Sequence, residues 1–130
     1  MNFAKMIHPF LLRRFVTSPN DKYSMALLAT SGHQFSNFTY ARYATDVNFQ
    51  ETCIPAGIYN EKKMNFSGKH YHYGHKVEVS VLPNGMAINC TRHIKGSVSD
   101  KAIFDGNLEF HVSALSEEDI RACLQDKAEV

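Results

Sequence analysis

Hydrophobic and polar positions alternate most cleanly between Lys76 and Cys90, in KVEVSVLPNGMAINC. Val77, Val79 and Val81 alternate with Lys76, Glu78 and Ser80, the pattern breaks at Pro83-Asn84-Gly85, and it resumes with Met86, Ile88 and Cys90. A period of two on both sides of a turn signal predicts a β-hairpin, with the valine face buried and the Lys-Glu-Ser face polar. Asn84-Gly85 supplies the positive-φ residues that a tight hairpin turn takes. Upstream, Tyr40 to Gln50 predicts a first strand. Ala41, Tyr43, Thr45, Val47 and Phe49 share one face, and Arg42, Ala44, Asp46 and Asn48 share the other. Downstream, Gly96-Ser97-Val98-Ser99-Asp100 closes the sheet and offers N-cap oxygens to a following helix.

Elsewhere the spacing changes. Met6, Ile7, Phe10, Leu11, Leu12 and Phe15 recur at three and four residues, which predicts a helix over Lys5 to Val16 with Pro9 near its first turn and Arg13 and Arg14 on its polar face. Ser18 to Lys22 reads as a turn, and Tyr23 to Thr30 as a second short apolar stretch. Residues 51–69 show little periodicity and read as an extended loop. Leu108 to Val112 reads as a short strand or extended segment after the breaker Asp105-Gly106-Asn107. At the C-terminus Ser116 precedes Asp119 by three residues as a capping box, so Glu117, Glu118 and Asp119 are explained by the helix dipole. The expected organisation is an N-terminal helical segment (1–37), a sheet-bearing domain (38–112) and a C-terminal helix (113–130), and the fold class is α/β with a hairpin-containing mixed sheet and flanking helices.

Composition narrows the function. At 130 residues and 44% hydrophobic the chain suits one ordinary domain. With 14 basic against 13 acidic residues, whole-molecule charge does not signal a nucleic-acid partner, so any basic surface must be local. Cys53, Cys90 and Cys123 form no Cys-x-x-Cys pair and read as reduced, mostly buried thiols of an intracellular protein. The apolar start is interrupted by Pro9 and followed by Arg13-Arg14, so neither a signal peptide nor a membrane span is expected.

Two candidate chemistries stand out. Asp46 is a carboxylate in mid-strand, where Asp is disfavoured; it either pairs with Arg42 or a lysine, or serves as a metal-binding carboxylate on a rigid element. Lys62, Lys63, Lys69 and Lys76, interleaved with Phe66, Tyr71 and Tyr73, make the one basic and aromatic region, which reads either as a solvated loop whose aromatics fold back on the core, the reading that composition favours, or as a surface for phosphate contact and base stacking. His70, His72 and His75 lie close in sequence without a nearby carboxylate or cysteine and read as surface or phosphate-facing groups rather than a zinc site.

An Asp-bearing strand, a hairpin and then a helix is the order of an RNase H-like nuclease core. There, two divalent ions about 4 Å apart activate the nucleophile and stabilise the leaving oxygen, provided that carboxylates converge from several elements. The blocks YATDVNFQ, FSGKHYHYGHKVEVSVLPNGMAI and HIKGSVSDKAIF together resemble the DDE superfamily endonuclease domain of Harbinger-type transposases over roughly residues 38–110. By that resemblance Asp46 corresponds to the first catalytic aspartate, Lys76 lies in the Gly-x-Lys-Val strand, and Asp100 is the aspartate of the Gly-Ser-x-Ser-Asp block, either a helix cap or a second metal ligand. The family's later landmarks, an Asp-x-Gly-Tyr block on a fourth strand and a glutamate on an Arg-rich helix, are not in this sequence. The expectation is therefore a truncated, partial RNase H-like domain that binds Mg²⁺ or Mn²⁺ weakly and does not cut alone. It would be intracellular, and nuclear if transposase-like. The competing reading is a non-catalytic module that meets DNA through residues 62–76, or a protein partner through an exposed sheet edge.

Overall fold

A computed structural model describes residues 2–115, and all but the first residues of the expected C-terminal helix, including Ser116, Glu117, Glu118 and Asp119, lie outside them. The fold is α/β, an antiparallel sheet of five strands flanked by helices, and it is consistent with a partial RNase H-like fold. The chain opens with α1 (Phe3–Leu12), which passes through a π-helical turn at Arg13–Thr17 directly into α2 (Ser18–Lys22). The turn expected at Ser18 to Lys22 is thus helix. Pro19 has no N–H to give, and the ladder widens there: Ser18 sends both its N–H and its hydroxyl to the Arg13 carbonyl, the hydroxyl at 2.8 Å. Pro9 sits inside α1 rather than in its first turn, and no residue of α1 is buried. α3 (Met25–Thr30) is capped by the Ser24 hydroxyl, which accepts from Leu27 N at 3.2 Å.

β1 (Ala44–Glu51) pairs antiparallel with the long β3 (His72–Val81) along its whole length, from Ala44 opposite Val81 to Glu51 opposite Gly74. The other edge of β3 is met in turn by β2 (Phe66–Ser67), β5 (Ile94–Lys95) and β4 (Ala87–Cys90). Every pairing among the described strands is antiparallel, where a mixed sheet was expected. The 51–69 segment is not one loop: it contains α4 (Tyr59–Met64) as well as β2. At the hairpin turn only Gly85 takes positive φ, 84°, while Asn84 contributes its side chain, which accepts from Met86 N at 3.1 Å.

The faces of β3 are the reverse of the expectation from its hydrophobic pattern. Lys76, Glu78 and Ser80 are buried, while Val77, Val79 and Val81 are only half-buried. Register carries the reversal onto β1, where Thr45, Val47 and Phe49 lie opposite Ser80, Glu78 and Lys76 on the covered face. Asp46, Asn48 and Ala44 share the other face with the three valines. The covering layer is α5 (Asp100–Gly106) and α6 (Leu108–Ala114), whose polar groups meet the strand's polar side chains. Leu108 to Val112, expected as a short strand or extended segment, belongs to α6, whose inward positions, His111 and Ala114, are three residues apart.

The apolar core joins α3 to the hairpin: Leu28, Leu82 and Ile88 are buried together, with Tyr23, Tyr43 and Phe110 against them. Arg42 fastens the helical layers. Its guanidinium donates to the carbonyls of Asn20 (2.8 Å), Tyr23 (2.9 Å) and Ala114, so one cation caps the ends of both α2 and α6. Cys53 and Cys90, expected to be buried, are both exposed, and Cys123 lies outside the described residues. Among the described residues no helix is long and apolar enough to cross a membrane.

Candidate functional site

Ser99, the last residue of the Gly-Ser-x-Ser stretch, adopts extended backbone and caps α5 by accepting from Ala102 N at 3.1 Å. Asp100 is therefore the first helical residue, and its two carboxylate oxygens face two lysines. Oδ1 accepts from Lys76 Nζ at 2.9 Å and Oδ2 from Lys69 Nζ at 2.9 Å. Lys76 reaches the site from β3 and is 4% exposed, its ammonium also donating to the Val98 carbonyl at 2.8 Å. The hydrogen bonds from Lys69 and then Lys76 hold the Asp100 carboxyl below the usual carboxylate range, and the same bond to Asp100 raises the pKa of Lys69. Around this triad is a cleft of about 290 Å³, lined by Ser67, Gly68 and Ser97 besides the charged groups.

Asp46 stands apart from it. Strand alternation places its side chain with Val79, on the face opposite Lys76, where it is exposed and its Oδ1 accepts from Val47 N at 2.9 Å. Among the described residues, what links it to the triad is the field of its charge on Lys69. Nor does it pair with Arg42, whose guanidinium is taken by helix-end carbonyls. A divalent ion of this kind needs converging carboxylates with free oxygens. Here the two candidate aspartates are on different faces and both oxygens of Asp100 hold ammonium groups. Among the described residues no three or more His, Cys, Asp or Glu gather around one point. The described residues do not fit a two-ion site.

The expected basic and aromatic region is divided by the fold. Lys62 and Lys63 occupy the last turn of α4, Lys63 exposed and Lys62 half-buried. Lys69 lies in the turn between β2 and β3, its side chain 67% exposed, whereas Lys76 is internal. Phe66 and Tyr73 pack edge to face, centroids 5.3 Å apart. The three histidines separate as well: His70 stacks on Phe49, His72 Nδ1 sits 3.4 Å from Glu51 Oε1, and His75 approaches His93 at 6.0 Å between ring centroids.

A second polar cluster was not anticipated. Glu78, fully buried, accepts at Oε1 from Asn107 Nδ2 (2.6 Å) and His111 Nε2 (2.9 Å), and His111 Nδ1 meets the Tyr43 hydroxyl at 2.8 Å. An ionised carboxylate oxygen only accepts, so at this contact His111 Nε2 is the donor. Burial pushes the Tyr43 phenol up, Glu78 pushes the same way, and Arg42 opposes them. A signal was present in the sequence: Glu in mid-strand is disfavoured too, though less than the Asp that drew notice at position 46.

Residues 46–122, more than half of the chain, match the family model described as DDE superfamily endonuclease. No curated protein and no solved structure matches the chain.

Proposed function

Since the chain belongs to the DDE superfamily endonucleases, we propose that it is a transposon-derived, Harbinger-type member that engages DNA in the nucleus and does not cut it by itself. The observation that carries this reading is the separation of its two candidate acids. Asp46 is exposed on one face of β1, while Asp100, on the side of the sheet covered by α5, has both oxygens occupied by Lys69 and Lys76. Family resemblance makes Asp46 the counterpart of the first catalytic aspartate, and a lone exposed carboxylate holds Mg²⁺ or Mn²⁺ weakly. DNA contact falls to Lys62 and Lys63 on α4 and to Lys69 in the neighbouring turn, since Lys76 is committed internally.

The test is a plasmid-nicking assay with Mg²⁺ or Mn²⁺, run beside a mobility-shift titration. We expect a shift without nicking. Nicking by the purified chain that disappears in Asp46→Ala would overturn the non-cutting reading.

One further observation favours a protein partner. β1 pairs only with β3, so among the described residues its outer edge offers unpaired backbone groups, the arrangement that accepts an added strand. Protection of the β1 amides from hydrogen exchange in a complex would support that role, and unchanged exchange there would remove it.

A further inference from the structure

Tyr71 is the one non-glycine residue at positive φ, 58°, among the described residues, and it is 79% exposed. Left-handed backbone is strained for an L residue with a bulky side chain, and an exposed ring recovers none of that by burial. Glycine would be the residue of least strain at this position.

The turn that carries Tyr71 is braced on every side. The ring of His70 lies flat on Phe49, with centroids 4.4 Å apart and planes 9° from parallel. His72 sits beside Glu51, Lys69 is held by Asp100 at 2.9 Å, and Tyr71 N–H donates to the Ser67 carbonyl at 2.8 Å. β1 and α5 therefore fix the residues around Tyr71 and impose its backbone conformation. Of the aromatic residues in this region, Phe66 and Tyr73 pack against each other. Tyr71 is left exposed in the turn, two residues from Lys69, whose side chain is also mostly exposed. Strain kept in a rigid frame at an exposed position is a mark of function rather than of folding.

We propose that Tyr71 is a base-stacking finger: its ring takes the face of an unpaired base in DNA, a single strand or a frayed end, while Lys69 meets the adjoining phosphate. The inference rests on the DNA-binding reading above and adds the class of substrate. Aromatic stacking accepts any base, because each has a π-face, so the finger selects strand state rather than sequence.

The test uses the full chain with a blunt duplex and with the same duplex carrying a single-stranded overhang that contains 2-aminopurine. Wild type should bind the overhang more tightly and quench its fluorescence. Tyr71→Gly should lose roughly 5- to 150-fold in overhang affinity, the range that aromatic–base stacking spans, with blunt-duplex binding unchanged. It should melt at the same or a higher temperature, because glycine relieves the strain, and Tyr71→Phe should behave as wild type. Equal overhang binding and quenching by wild type and Tyr71→Gly would overturn the finger alone. A lower melting temperature for Tyr71→Gly would overturn it too, by giving the residue a structural role. If wild type binds neither DNA, the DNA-binding reading and the finger fall together.

Discussion

Glu78 Oε1 and His111 Nε2 meet at 2.9 Å in the interior, the carboxylate from the middle of β3 and the imidazole from α6. This contact explains why the polar face of the strand is the buried one. Each of its side chains has a partner arranged for it: Asp100 for Lys76, His111 and Asn107 for Glu78, and the Thr45 hydroxyl for Ser80. Desolvating such groups is costly, and their partners make the cost bearable only in one arrangement of helix on sheet.

Removing one partner should therefore be worse than removing both. His111→Ala leaves the Glu78 carboxylate buried and poorly satisfied, and is expected to destabilise the fold by about 3–5 kcal/mol. Glu78→Met combined with His111→Leu should lose less than His111→Ala alone. Urea denaturation of the single and double variants measures the difference; a double variant less stable than His111→Ala would show that the pair itself stabilises.

Arg42→Lys should be destabilising although the charge is kept. The guanidinium serves three carbonyls at two helix ends, and a single ammonium cannot span the forked geometry. Loss of one or two charge-assisted hydrogen bonds corresponds to about 2–4 kcal/mol. Hydrogen exchange should show the ends of α2 and α6 opening together; if only one end loosens, Arg42 does not couple them.

Much of this architecture could be read from the sequence, and what could not has a physical reason. Period-two alternation located β3 and β4, and Ser99 was rightly placed among the cap oxygens of α5. Alternation cannot say which face is inside when the polar face finds partners from 22 to 35 residues away along the chain, on either side of the strand. The short strand or extended segment expected from Leu108 to Val112 failed for a related reason. Leu108, Phe110 and Val112 alternate, but the buried side chains are His111 and Ala114. At the site, propensity flagged Asp46, yet nothing local shows that Asp100 would be enclosed by lysines on the other face. The strain at Tyr71 was equally hidden, because no glycine or asparagine marks the position.

Gly74 should tolerate no side chain. A Cβ there would lie 2.3 Å from the Gln50 carbonyl oxygen and 2.6 Å from Phe49 Cζ, so β1 could not keep its spacing from β3. Gly74→Ala is expected to cost about 1–3 kcal/mol, the range for overpacked interiors. Thermal melting checks this, and an unchanged midpoint would mean that β1 shifts freely.

The Asp100 triad gives stability a definite pH dependence. Because Lys69 and Lys76 lower the folded pKa of Asp100, its contribution is fully present above the unfolded carboxylate value, near 4, and is lost as pH falls through the lower folded value. Lys69 runs the other way: its raised pKa contributes below the ordinary lysine value and is lost as pH rises through the folded one. Lys69 and Asp100 are exposed enough for salt to weaken the effect. Asp100→Asn should flatten the acid limb of a stability–pH curve measured between pH 2 and 5. A limb identical to wild type would assign acid sensitivity to other carboxylates.

Lys69 and Lys76 touch the same aspartate but should fail differently. Lys69 is mostly exposed, so Lys69→Ala should leave the melting temperature nearly unchanged. If Lys69 contacts a phosphate, that variant should weaken DNA binding equally across sequences and lower the slope of log affinity against log salt by about one. Lys76→Ala removes a buried cation from between Asp100 and the Val98 carbonyl, so its first effect should be on stability, by about 3 kcal/mol or more. At a temperature where both variants are folded, the salt slope of Lys76→Ala should equal that of wild type. Salt titrations of DNA binding by the three proteins separate the roles. A reduced slope for Lys76→Ala together with an unchanged slope for Lys69→Ala would mean that the buried lysine opens onto DNA, and the arrangement of the triad would have to change on binding.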